Sequence, residues 1–354
     1  MARVLCVGPK NTPVTGQSYA FDYFVNNSKC NVDILYNSGG NKLLSLIQYS
    51  FKVLYRRFFC SYDVVYFTSS RTRIGFARDL FLVILFKNKS KVVNHLHGAD
   101  FIQFREGCSR YLKRVIDYTY NSISSSIILT DGMREHYKYY QKMDISVIPN
   151  FFDTKSIGAL HKTRKENLLE RKFKVLFLSN LMPDKGLIEL IEAIKYLKQK
   201  QYHVSLSIVG ASLGFECLDS YVKETCEEHK YITYDGPVYD DEKADVLSEN
   251  HFMVLPSYYK TEAQPISLIE GMANGCVLIT TKHNYLPELV NDLNGSLVEV
   301  RDWQSIADAL ESYFNDLDKI TTISEHNRNI AIEKFSATAF VNSIDDVLVN
   351  CRRN

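Results

Sequence analysis

"HKTRKENLLERKFKVLFLSN", residues 161 to 180, changes character halfway along. Residues 161 to 172 are charged and poor in apolar side chains, whereas FKVLFLSN, 173 to 180, is short and almost continuously apolar. A run of that kind suits a strand covered on both faces of a parallel sheet. Upstream, the same pattern recurs in RVLCVG (3 to 8), DVVYFT (63 to 68), KVVNHLHG (91 to 98), SSIILT (125 to 130) and ISVIPN (145 to 150). Downstream it continues in VSLSIVG (204 to 210), YITYDG (231 to 236), HFMVLPS (251 to 257) and CVLITT (276 to 281). Helical periodicity fills the gaps, as in LIELIEAIKYLKQK, 187 to 200. The stretch at 161 to 180 is therefore a restart. It predicts an α/β chain of two doubly wound, Rossmann-like domains, 1–155 and 156–334, joined near 156 to 172. Ligands of open parallel sheets gather beyond the carboxyl ends of the strands, so with two sheets facing each other the site is expected in the cleft between domains.

Composition agrees with two domains. The chain has 354 residues, 45% of them hydrophobic and 12% aromatic, enough to bury large cores. Its eight cysteines form no C-x-x-C pair, and no secretory signal opens the sequence, which points to the reducing cytoplasm. The longest uninterrupted apolar run, LFLVILF at 80 to 86, falls far short of the roughly 20 residues that span a bilayer. Charge is divided unevenly. Residues 1 to 155 hold 21 lysines and arginines against 11 acids, and residues 156 to 354 hold 21 against 30. The basic half is expected to meet something anionic.

TEAQPISLIEG, 261 to 271, sets Glu262 and Glu270 around a proline. HFMVLPS reads as a strand and YYKTEAQ as the loop leaving it, with Pro265 in the first turn of a helix that runs to about Asn274 and stops at Gly275. The helix start between the two acids is a seat for phosphate. The carboxylates themselves would repel phosphate and suit hydroxyls, and a sugar nucleotide carries diols on both its ribose and its hexose.

These residues resemble the retaining glycosyltransferases of family 4, which have the GT-B fold. The likeness is carried by E-x7-E at Glu262 and Glu270, then GMANG, CVLITT and Pro287-Glu288. LFLSNLMPDKGLIELIEAI with Lys185 and Gly186, SIVG with Gly210, YDGPVYDDEKADVLSENHFMVLPS, VIPNFFD and LHG with His97 follow in the family's order, and the likeness covers most of 91 to 300. It implies that Glu262 contacts hydroxyls of the transferred sugar, Glu270 the ribose, and Lys185 the diphosphate. Pro265, Ile266 and Ser267 would start the phosphate-facing helix, with Gly210 and Asn180 lining the donor site. His97 would reach toward the sugar, with His95 facing the same way. The loop GPKNTPVTGQS with Gly16 would lie near the acceptor and donor phosphate, and a C-terminal helix, 335–354, would cross back to the first domain. One departure stands out: the family has an arginine five residues before the lysine, and this chain has Asn180. Either Lys185 carries more of the charge, or Lys260 or Lys282 helps, or activity is weaker.

The resemblance also implies a metal-independent reaction with no cofactor beyond the nucleotide-sugar donor. Asp240 and Asp241 in YDD read as cap or dipole residues of a following helix rather than metal ligands. For the acceptor, FKVLYRRFF (51 to 59) and the segment 69 to 91 with Arg71, Arg73 and Arg78 interleave basic and apolar residues. They suit an anionic membrane surface or a polyprenyl-diphosphate-linked glycan; no nucleic-acid recognition motif accompanies them. Three classes of activity fit this reading to different degrees. A hexose or N-acetylhexosamine transferase using a nucleotide sugar, UDP-linked by expectation, at the inner face of the cell membrane leads. A non-catalytic partner subunit or a GT-B sugar-nucleotide epimerase would bind the same nucleotide, and a nicotinamide oxidoreductase lacks its G-x-G-x-x-G after the first strand.

Overall fold

The structure, a computed structural model, describes residues 1–12, 14–37, 42–158 and 162–353. The chain divides into two compact units, 1–150 with 338–354, and 151–337.

The first unit alternates β1 (Arg3–Gly8), α1 (Gly16–Asn27), β2 (Asn31–Tyr36), α2 (Lys42–Phe59), β3 (Val64–Thr68), α3 (Arg73–Phe86) and β4 (Lys91–Leu96). It continues with α4 (Phe101–Glu106), α5 (Arg110–Tyr120), β5 (Ser125–Ile128) and β6 (Asp144–Val147). The second holds α6 (Lys162–Leu169), β7 (Lys172–Leu178), α7 (Leu187–Gln199), β8 (His203–Val209), α8 (Glu216–Glu228), β9 (Ile232–Gly236), α9 (Asp240–Glu249) and β10 (Phe252–Leu255). After these come α10 (Ile266–Ala273), β11 (Val277–Thr281), α11 (Leu286–Leu289), β12 (Gly295–Val298), α12 (Trp303–Phe314), α13 (Leu317–Lys334) and α14 (Ala337–Arg353). Nearly all of α14 belongs to the first unit, where Asp345 accepts from Ser28 Oγ at 2.5 Å and from the Lys29 amide at 2.8 Å.

Both sheets have six strands and every pairing is parallel. Their orders are β2-β1-β3-β4-β5-β6 and β12-β11-β10-β7-β8-β9. The central strands are largely buried, as Val175, Leu176, Phe177, Met253, Val254, Leu278 and Ile279 illustrate, while Ser205 and Ser207 of β8 are half-buried. In the second sheet the chain steps outward from β7 to β9 and then returns to the other side of β7, so successive strands diverge between β7 and β10. That switch point opens a crevice at the strands' carboxyl ends.

Two strands escape the sequence reading, β2 and β12, and both lie at sheet edges. NVDILY has one fully buried residue and GSLV only four positions, so neither needs a continuously apolar run. A smaller correction concerns Pro265. It sits at the N-cap of α10, φ −65° and ψ 125°, one residue before the first turn.

Candidate functional site

The loops that leave β7 and β10 meet in the second unit. A tight turn, Pro183–Lys185, ends at Gly186, whose φ of 76° is left-handed. A Cβ there would lie 2.2 Å from the Pro256 carbonyl oxygen, so only glycine lets the two backbones approach this closely. The contact brings Lys185 against the second loop. Its Nζ donates to Glu262 Oε2 at 2.5 Å, and the same oxygen accepts from Ser257 Oγ at 2.9 Å. The Lys185 and Glu262 side chains are only 12% and 10% exposed, and the ammonium is 5.0 Å from the centre of the Tyr259 ring. The loop after β11 holds this arrangement. Asn284, with φ 46°, donates to the carbonyls of Lys260 at 3.1 Å and Glu262 at 3.0 Å, and the Thr281 hydroxyl donates to Ser257 O.

Glu270 lies in the next helix and is 2% exposed. Lys243, from the first turn of α9, donates to its Oε1 at 2.6 Å. Burial raises the Glu270 carboxyl above the usual glutamate range, and Lys243 opposes that rise. The N-cap residue of α10, Pro265, makes no side-chain cap bond, and Ile266 and Ser267 follow it in the first turn. Its other end is closed by the buried Arg164, which donates to the carbonyls of Asn274 at 2.6 Å and Gly275 at 2.7 Å. A cation at the carboxyl end balances the negative pole of the helix.

Gly210 and Asn180 are neighbours: a Cβ at Gly210, φ 151°, would lie 1.8 Å from Ser179 O and 3.1 Å from Asn180 N. Of the two spare cations considered above, Lys282 is paired with Glu299 at 2.6 Å on the surface and Lys260 is exposed. Asp240 and Asp241 occupy the first turn of α9, but Tyr239 takes the N-cap position and neither acid caps it.

In the first unit His97 follows β4, and its ring centroid is 3.9 Å from that of His95. His95 is not available to a ligand on the surface: it is wholly buried, with Nδ1 2.8 Å from the Tyr66 hydroxyl. Both His97 ring nitrogens, His95 Nε2, Thr68 Oγ1 and Thr130 Oγ1 are buried without a partner among the described residues, all near the carboxyl ends of β3 to β5. Burial, with Arg71 nearby, holds His97 down to about 3, so its ring is neutral. Arg71 forms a close ion pair with Asp100 and lies over Gly98; Arg78 donates to Asn37 O at 2.8 Å; Arg73 is exposed. Gly16 opens α1 behind a Thr15–Ser18 capping box, and Pro13 of the same loop lies outside the described residues.

Ser257, Lys243, Asn284 and Arg164 were not singled out in the sequence. Ser257 closes the quoted strand HFMVLPS, and Lys243 falls in the first turn after YDD, so both had a local signal. Asn284 and Arg164 act through contacts distant in the chain and had none.

Residues 161–334, within the second unit, match the family model of glycosyl transferases group 1. The capsular polysaccharide biosynthesis glycosyltransferase CapM of Staphylococcus aureus is 25% identical over 175 residues, 48% of this chain and 44% of that protein. The lipopolysaccharide 1,2-N-acetylglucosaminetransferase of Salmonella typhimurium is 25% identical over 204 residues, 54% and 53% of the two chains. The chain thus spans about half the length of the curated relatives it matches. Among solved structures, Anabaena Alr3699/HepE in complex with UDP and glucose superimposes with a TM-score of 0.73 at 19% identity, covering 99% of this chain and 100% of that one. The fold is GT-B.

Proposed function

We propose that this protein is a retaining glycosyltransferase that moves a hexose or N-acetylhexosamine from UDP to a glycan or polyprenyl-diphosphate-linked acceptor in the assembly of a surface polysaccharide. The observation that carries the reading is the Lys185–Glu262–Ser257 cluster beside the start of α10, at the switch point of the unit that matches the glycosyl transferases group 1 model. The names of the relatives, and UDP with glucose in the HepE structure, support the choice of donor and pathway class.

On this reading Lys185 turns from Glu262 to the donor diphosphate. Glu262, relieved of its partner, accepts hydrogen bonds from the sugar hydroxyls, and Glu270 does the same for the ribose. The amides opening α10 take phosphate oxygens. The bond from the anomeric carbon to the β-phosphate oxygen breaks while the acceptor hydroxyl attacks from the same face, and the departing phosphate takes the hydroxyl proton. The protein's part is to stabilise leaving-group charge, position both substrates and exclude water. A neutral His97 can hydrogen-bond the sugar or the acceptor without adding charge. Among the described residues no helix is long and apolar enough to cross a membrane, and contact with the inner face of the cell membrane would be peripheral.

Thermal unfolding with UDP, GDP, ADP and their sugars tests the donor site without a known acceptor. A ligand at 100 times its dissociation constant adds about 2.7 kcal/mol. Uridine nucleotides are expected to stabilise the wild type and not Glu270→Ala. If no nucleotide shifts the melt at millimolar concentration, the reading fails.

A further inference from the structure

Helix α2 turns an aromatic face outward. Tyr49 and Val53 face the core, at 5% and 0% exposure, while Ile47, Phe51, Tyr55 and Phe58 are 46%, 69%, 60% and 70% exposed. At 3.6 residues per turn those four lie within an arc of about 80° on one side of the helix. Single exposed apolar residues are ordinary, but a contiguous stripe of them marks an interaction surface. The flank of the stripe is basic. Lys52 and Arg56, one turn apart, join Lys10 in lining a cavity of about 440 Å³ at the end of β2, and none of the described residues that line it is an acid. Arg56 donates to Asp33 at 3.2 Å, while its buried Nε has no partner among the described residues. The sequence of α2 contains no aspartate or glutamate.

We infer that α2 docks the protein on an anionic membrane, its aromatic stripe lying in the head-group boundary and the Lys10, Lys52 and Arg56 cavity receiving the phosphate of a lipid head group. The occupant follows from charge and shape together. A wholly basic helix beside an aromatic stripe matches an anionic lipid surface, and 18 residues, about 27 Å, with polar flanks lie in the plane rather than across it. Helix α3, by contrast, turns Phe76, Leu82, Val83 and Phe86 into the core and exposes only Ile74 and Ile84 of its large apolar side chains. The inference rests on the membrane contact in the proposed function and places it on α2, which holds FKVLYRRFF, rather than on the segment 69 to 91.

The test is co-sedimentation of the full chain with vesicles of phosphatidylglycerol and phosphatidylcholine, against phosphatidylcholine alone, at low and high salt. Binding is expected only to the anionic vesicles and is weakened by salt. Phe51→Ser with Phe58→Ser, and separately Lys10→Gln with Lys52→Gln, should each lower partitioning about tenfold or more. Unchanged circular dichroism and an unchanged UDP-induced melting shift show that the variants fold and keep the donor site. If the wild type binds vesicles and both variants bind equally well, α2 is not the docking element, although membrane contact stands. If only the lysine variant binds like the wild type, the head-group cavity is overturned. Absence of any vesicle binding removes membrane contact altogether, while the nucleotide melts judge the donor reading separately. A lipid-free dimer that the phenylalanine variant converts to monomer would make the stripe an interface between copies. Stabilisation by inorganic phosphate that needs Lys10 and Lys52, without vesicle binding, would make the cavity a soluble-phosphate site; either result overturns the proposal.

Discussion

At the carboxyl ends of the second unit's strands, charged groups are already matched to one another; at those of the first, buried polar atoms stand without partners among the described residues. Lys185 is joined to Glu262 and Lys243 to Glu270. Across the β3 to β5 ends, His97, His95 Nε2, Thr68 and Thr130 lack such pairing. Buried polar groups are ordinarily satisfied, and those left over mark places where something else completes them. The difference teaches that the second unit holds its buried charge in internal pairs, which on the proposed function exchange for the donor, while the first unit, beside its Arg71–Asp100 pair, leaves neutral polar atoms unpaired among the described residues.

The largest effect should follow from breaking the exchangeable pair. Lys185→Met is expected to lower kcat/KM for transfer from a UDP-sugar by about 10³, or about 4 kcal/mol in the barrier. It also leaves Glu262 buried beside Ser257 alone, so stability falls as well. Adding Glu262→Gln should restore much of the stability and none of the rate. A Lys185→Met enzyme within tenfold of the wild type would mean that the pair is structural and that the comparison between units says nothing about the donor.

Next in size is Arg164→Met. Carbonyls at the end of α10 lose a charged donor in a buried setting, and unfolding free energy should drop by about 3 kcal/mol. Trp303 is the only tryptophan and lies in α12 of the second unit, so denaturation followed by its fluorescence reports that unit. An unmoved fluorescence transition would remove Arg164 from the account of how α10 is held.

Lys243→Met should cost about 2 kcal/mol at pH 8 and clearly less at pH 5. The sign follows from Glu270, whose folded carboxyl is raised above its ordinary value of 4.5 by burial, with Lys243 opposing. A raised carboxyl destabilises as pH climbs through its folded value, and without Lys243 that rise is steeper. The same fluorescence melts at the two pH values decide it: a pH-independent loss would mean that Lys243 contributes packing and not charge.

Much of this was legible in the sequence, for a physical reason. Interior strands such as FKVLFLSN and HFMVLPS are apolar because both faces are covered, and loops at their carboxyl ends carry the candidate site because parallel strands all point there. Edge strands β2 and β12 are half-covered and lost that signal. The pairing of Lys185 with Glu262 joins residues 77 apart, through a glycine whose close approach to Pro256 no local pattern announces. On α2 and α3 the sequence shows two basic and apolar segments that look alike, and only packing reveals that one buries its apolar face and the other exposes it.

The smallest effect belongs to the unpaired side of the comparison. His97 is held down to about 3 in the folded state by burial and by Arg71, against an ordinary 6.5. A depressed histidine contributes stability that is present above pH 6.5 and lost as pH falls toward its folded value. His97→Phe removes that titration and two ring nitrogens that have no partner among the described residues. The variant should therefore match the wild type within about 1 kcal/mol at pH 7.5 and gain on it by about 2 kcal/mol at pH 5, with burial alone still holding His95 well below its ordinary value once His97 is gone. Transfer should fall while the UDP-induced shift, a property of the second unit, stays. Identical pH dependence of the two proteins would mean that the His97 ring is better satisfied than its surroundings indicate, and the contrast between a paired and an unpaired unit would lose its sharpest example.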